Sequence, residues 1–264
     1  MLTFGEIRTT IVDGVGDFAA RLDALGAEDW ERWTRCPGWK VRDVAWHVAW
    51  GEGPGEVIRA AREGLPPPDF ATNRMGPTPT GTDEIVRSMH DQLAKSAQDL
   101  GALTEADADM VVRYGSHELS LVNFLWGRVV EVVVHGDDLV CALDRDEPVD
   151  PGVAGEIVVR RVREAVRSAS DDGLQPAAPR GYRLTGDGID CGFFYRDGAW
   201  QEGIDEDVPT CTFTSDNTTL MRLVAGRIAV SPFAPGRFDD RLGLSGEVLG
   251  SLPFDFMRWC YGFW

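Results

Sequence analysis

Three residues set the chemistry open to this chain: His47, Glu131 and His135. Glu131 and His135 stand four residues apart, so on a helix they project from one face, and a carboxylate oxygen and an imidazole nitrogen can converge on one cation. His47 lies in a separate stretch, Val41-Arg42-Asp43-Val44-Ala45-Trp46-His47, which must pack alongside as a second helix. Two histidines and one carboxylate fill three positions of a divalent metal and leave the others open to water or substrate, the pattern of a catalytic rather than a structural site. The same spacing also arises on a solvated helix face or through an intrahelical hydrogen bond. The surroundings favour the metal. Val129, Val130, Val132, Val133, Val134 and Leu139 leave almost nothing polar around the pair, so the segment is expected to be buried, and a buried Glu beside a buried His needs a charge partner.

The elements that must position these residues are legible as periodicity. Phe4 to Leu25 carries Ile7, Ile11, Val15, Phe18 and Leu22 at helical spacing and reads as a first helix, followed by a short turn over Asp29 to Trp33. Pro37-Gly38 breaks the chain before a second helix, Val41 to Glu63, with a kink or split at Gly53-Pro54-Gly55. Residues 64–81, with Pro66-Pro67-Pro68, read as a long loop, and Thr82-Asp83-Glu84 caps a third helix reaching Leu103. After an extended piece at Met110 to Tyr114, a fourth helix spans Leu119 to Leu143 with Glu131 and His135 near its centre. A fifth, amphipathic helix covers Pro151 to Ser170 and is basic through Arg160, Arg161, Arg163 and Arg167. Four long helices with apolar faces to bury imply an antiparallel bundle.

The character changes after Gln175 to Gly181. Tyr182-Arg183-Leu184, Cys191-Gly192-Phe193-Phe194-Tyr195 and Cys211-Thr212-Phe213-Thr214 alternate as strands. Asp216 to Ala225 reads as a helix, Leu242 to Val248 as a strand, and Leu249 to Trp259 as a closing helix. The implied domains are a metal-binding helical bundle over 1–172 and a small α+β domain over 178–264.

Composition narrows the function classes. A chain of 264 residues with 43% hydrophobic composition can bury a core and has room for two domains. A net charge of −17 without a basic, aromatic-interleaved stripe argues against nucleic acid. There is no apolar run of about 18 residues and no basic start followed by an apolar run, so no membrane association and a cytoplasmic location are expected. Cys36, Cys141, Cys191, Cys211 and Cys260 are odd in number and scattered, which points to reduced thiols rather than a disulfide framework or a thiolate zinc site. No nucleophile elbow, P-loop or dinucleotide fingerprint is present.

Pro-Gly-Trp at 37–39, Val-Arg-Asp-Val at 41–44, His47, and then Glu131-x-x-x-His135-Gly136-x-Asp138-Leu139 resemble the DinB-like metalloenzyme superfamily, in its mycothiol-dependent maleylpyruvate isomerase branch. The resemblance implies an N-terminal up-and-down four-helix bundle followed by a small sterol-carrier-like α+β domain. It makes His47, Glu131 and His135 the ligands of a divalent metal, zinc first, with nickel, iron or manganese able to fit the same set. The family motif has Trp where this chain has Asp137, a departure that bears on substrate preference. Asp138 keeps the acidic position; it either accepts the free ring N–H of His135 or caps and solvates the helix.

The activity so implied is a mycothiol-dependent isomerase or S-transferase, in which a metal-activated thiolate adds to a small electrophilic substrate. Arg227, in Leu223-Val224-Ala225-Gly226-Arg227, resembles the family's Gly-Arg position and is a candidate to bind the thiol cofactor or clamp a substrate carboxylate; Arg74, in the proline-rich loop, is a second. Two other readings stand beside this one. The first is a metal-water hydrolase using Asp138 or Glu52 as base, and the second a non-catalytic metal- or ligand-binding stress protein. A monomer or homodimer is expected. His90 reads as part of a solvated face, His117 as part of the start of the fourth helix, Cys36 as packing, and Trp39, Trp46, Trp50 and Trp126 as core or site lining.

Overall fold

The first helix begins where a threonine can close it. Thr3 Oγ1 accepts the Glu6 N–H at 3.2 Å and the Glu6 carboxylate accepts the Thr3 N–H at 2.7 Å, satisfying two backbone donors that the helix leaves orphaned. From there α1 (Phe4–Asp23) runs with Ile7, Ile11, Val15, Phe18 and Leu22 buried along one stripe. In this computed structural model the described residues are 2–36, 38–50, 54–66, 78–114, 117–145, 147–171, 173, 175–228 and 243–246.

The chain divides into two compact units, Met1–Glu147 and Pro148–Trp264. The first contains α1, α2 (Val41–Trp50), α3 (Pro54–Glu63), α4 (Thr82–Gly101), β1 (Val111–Tyr114), β2 (His117–Ser120) and α5 (Leu121–Ala142). The second helix expected from the sequence is therefore two segments, the later one opening on Pro54, a residue suited to a first helical position because its missing N–H has no partner to lose there. Helices α1 and α2 each pack against both α4 and α5, so the most apolar helix, α5, is covered on two sides. Gly14 allows α1 to approach α5: a Cβ there would come within 2.9 Å of Val132 Cγ2, beside Glu131. His117 belongs to β2, paired antiparallel to β1 opposite Tyr114, and not to the start of the fourth helix.

The second unit holds α6 (Pro151–Asp171), β3 (Arg180–Gly186), β4 (Ile189–Arg196), β5 (Ala199–Glu202), β6 (Thr210–Thr214), α7 (Asn217–Val224) and β7 (Gly243–Gly246). The strands form one sheet in the order β5-β4-β3-β6-β7, antiparallel except for the parallel β3–β6 pair. Tyr182, Leu184, Phe193 and Phe213 are buried, with the Tyr182 and Phe193 rings stacked at 5.0 Å. Helix α6 packs on α7, β4 and β5. The domain boundary thus falls before this helix, at 147/148, and not after it near 172, because its apolar face is buried by the sheet's unit. The expected closing helix at 249–259 lies outside the described residues, as do Arg74 and Glu52. Among the described residues no helix is long and apolar enough to cross a membrane.

Candidate metal centre

A short folded loop prepares the entry to α2. Val41 N–H donates to the Arg32 carbonyl at 2.9 Å, Thr34 N–H to Trp39 O at 3.0 Å, and Trp39 N–H to Cys36 O at 3.1 Å. Gly38 has φ of +80°, the left-handed region where a side chain is strained and glycine is not. The N-terminus of α2 is then closed by Asp43: Lys40 N–H donates to Asp43 Oδ2 at 2.9 Å, while Thr78 Oγ1 donates to Asp43 Oδ1 at 2.7 Å. Arg42 bonds the carbonyls of Pro79 and Thr80, which ties the chain just before α4 to the same helix start. These contacts fix the rotation of α2 and hence the direction in which His47 projects.

His47 from α2 meets Glu131 and His135 from α5. The candidate ligand atoms of the three lie within 4.8 Å of one another. His47 Nε2 is 2.9 Å from Glu131 Oε2, and His135 Nε2 is 3.6 Å from the same oxygen. Ligand atoms about 2.0–2.2 Å from a tetrahedral zinc sit ~3.3 Å apart, so the observed spacings bracket what a shared cation requires. Two imidazole nitrogens and a carboxylate oxygen are also the donor types that zinc and its neighbours prefer, so these residues fit a divalent metal.

The supporting residues are as specific as the cluster itself. Asp138 is fully buried, and its Oδ2 lies 3.0 Å from His135 Nδ1. That contact directs the other nitrogen, Nε2, toward Glu131 and His47. The Trp39 ring stacks on His135 at 6.0 Å and 19°, and tilts against His47 at 5.0 Å. The His47 and His135 rings meet edge to face at 5.0 Å. Burial opposes ionisation of Glu131, but the His47 hydrogen bond and the charges of His135, His47 and Arg128 overcome it and lower its pKa to about 2. A permanently ionised carboxylate between two imidazoles is ready to bind a cation without releasing a proton of its own.

Other candidates fall elsewhere. Asp137 is buried, with Cys141 Sγ 3.8 Å from its Oδ1, and at two residues from His135 it occupies the opposite side of α5. His90 is on α4, 3.0 Å from Asp23 in an exposed pair. Arg227 follows α7 in the second unit; its side chain is buried and its Nη1 donates to Ala225 O at 3.0 Å. Cys191 and Cys211 are pushed up to about 11, chiefly by burial, so neither is a thiolate at neutral pH. The sequence reading passed over Arg128. The signal was available, because Arg128, Glu131, His135 and Asp138 recur along one helical stripe.

Helices carrying two histidines and a carboxylate to one point, with a buried aspartate behind one imidazole, define a candidate mononuclear metalloprotein. Residues 12–140 match the family model of the mycothiol maleylpyruvate isomerase N-terminal domain. Over both units the fold is similar to the crystal structure of the mycothiol-dependent maleylpyruvate isomerase, at 16% identity and a TM-score of 0.65, covering 94% of this chain and 98% of that one. A histidine-to-alanine mutant of the same enzyme aligns at 15% identity and a TM-score of 0.63, with the same coverage. No curated protein matches the chain.

Proposed function

We propose that this chain is a metal-dependent isomerase that uses mycothiol, acting on maleylpyruvate or a similar unsaturated diacid. The observation that carries this reading is the convergence of His47, Glu131 and His135 inside the matched domain. In the same reading, Met1–Glu147 is a DinB-like up-and-down four-helix bundle and Pro148–Trp264 a sterol-carrier-like domain. His47 and His135 supply neutral nitrogens and Glu131 an anionic oxygen to a divalent cation, zinc by preference of the donor set. A cation so held supplies Lewis acidity that keeps a thiol ionised at neutral pH, and reversible thiolate addition to a carbon–carbon double bond allows the rotation that isomerisation needs.

The chain's own residues account for the rest. Asp138 orients the His135 ring so that Nε2 is the nitrogen presented to the metal. Trp39 covers one side of both imidazoles and limits water there. Arg227 is assigned to the binding of thiol or substrate carboxylate in the second unit. An S-transferase would use the same site and keep the thiol attached. A hydrolase needs a free carboxylate base near the metal, and Asp138 is already committed to His135 at 3.0 Å, which favours the thiol reading.

The test is metal analysis of the purified protein beside its His135→Ala variant, then cobalt substitution with added mycothiol, then turnover of maleylpyruvate to its trans isomer. About one metal per chain, lost in the variant, with a thiolate band and thiol-dependent turnover, is the expected result. Metal bound without thiol access would transfer the reading to a hydrolase; no metal at all would end it.

A further inference from the structure

We infer that Arg128 anchors a carboxylate of the substrate beside the metal centre, an inference that rests on the reading of the site as an isomerase centre. Arg128 lies on α5 three residues before Glu131 and seven before His135, so it shares their face one turn toward the helix N-terminus. Helical side chains lean toward the N-terminus, which sets the guanidinium at the end of the cluster away from Asp138.

Its chemistry is unspent. Arg128 is half-buried, its Nε is fully enclosed, and among the described residues no hydrogen bond or ion pair satisfies it. That is out of character for this chain, which carries 43 acidic residues against 26 basic ones. In the same unit Arg21, Arg32, Arg42 and Arg62 hold carboxylates at 3.0, 2.9, 2.8 and 3.0 Å. A half-buried guanidinium near a ligand cluster, with no hydrogen bond among the described residues, is costly unless something else completes it.

The field at the site says what completes it. Glu131 and Asp138 together neutralise a dication, so Arg128 is the residual positive charge, and it is felt at Glu131. Its planar fork matches a carboxylate in a bidentate grip, a geometry that lysine cannot reproduce. An unsaturated diacid gripped there would present its double bond toward the cluster rather than at a random angle. Arg128 is therefore the selector for an anionic substrate over a neutral electrophile.

The experiment is a calorimetric titration of the metal-loaded protein with maleate and with its uncharged diamide, for the wild type, Arg128→Gln and Arg128→Lys. Maleate affinity should fall roughly 10- to 100-fold in Arg128→Gln and less in Arg128→Lys, while affinity for the diamide and metal content stay unchanged. Equal maleate affinity in wild type and Arg128→Gln would overturn the assignment. So would a wild type that does not distinguish maleate from the diamide, or a loss of metal in both variants, which would make the residue structural. Metal content and the cobalt–thiol band are read on the same samples. If the wild type lacks either, the isomerase reading fails; if both are intact and maleate binding ignores the substitution, only the role of Arg128 fails.

Discussion

Asp138→Asn isolates one charge in the proposed metal site without removing an atom's worth of volume. In the wild type the His135 Nδ1–H faces a carboxylate at 3.0 Å, with side chains 1% and 0% exposed, so solvent screens the pair very little. A hydrogen bond to a charged group is worth about 1.5–3 kcal/mol and a neutral one about 0.5–1.5 kcal/mol. The substitution therefore removes about 1–1.5 kcal/mol of support for the liganding tautomer, or about 5- to 10-fold in zinc affinity. Asp138→Ala removes the acceptor altogether and should weaken binding by roughly 10- to 100-fold. The assay is competition with a chromophoric chelator at fixed pH, alongside thermal unfolding of the metal-free proteins. Wild type should bind tightest, then Asn, then Ala. Asp138→Asn and Asp138→Ala both holding zinc as tightly as the wild type would refute the idea that this carboxylate tunes His135.

Two further outcomes follow from the same geometry. The Glu131 carboxyl sits at about 2 in the folded protein against 4.5 without the fold, so its contribution to metal-free stability is complete above about pH 4.5 and is lost as the pH falls toward 2; thermal unfolding of wild type and Glu131→Gln should converge across that window, and a constant gap would contradict it. Trp39→Ala removes a ring stacked on His135 at 6.0 Å, a contact worth about 0.5–1.5 kcal/mol, and should weaken zinc binding about 2- to 10-fold while Trp39→Phe recovers most of it, as read by the same chelator competition.

What the sequence could and could not disclose divides along physical lines. Glu131 and His135 were visible because four-residue spacing is a property of the helix itself, and the break at Gly53-Pro54-Gly55 because proline and glycine act locally. Strands β2 and β5 were missed: His117-Glu118-Leu119-Ser120 and Ala199-Trp200-Gln201-Glu202 contain no β-branched residue, and pairing with β1 and β4 makes them strands. The amphipathic pattern of α6 announced that it needs a partner but not which one, and the sheet's unit takes it. The contact between Asp138 and His135 was one of two open alternatives, since burial of that turn depends on helices far away in sequence. Arg128 shares the helical stripe of Glu131 and His135, but an arginine is usually read as surface, and only the structure shows its Nε enclosed without a hydrogen bond among the described residues.

His47 and Glu131 touch across a sequence separation of 84 residues. A cation gripped by both would act as a cross-link closing that stretch of chain, and by loop-closure entropy such a link restricts the unfolded ensemble by about 4–5 kcal/mol, comparable with the whole stability of a small domain. Metal loading and folding of the N-terminal unit then become one equilibrium. A metal-free chain would forgo that restraint and expose its N-terminal unit to cleavage more often.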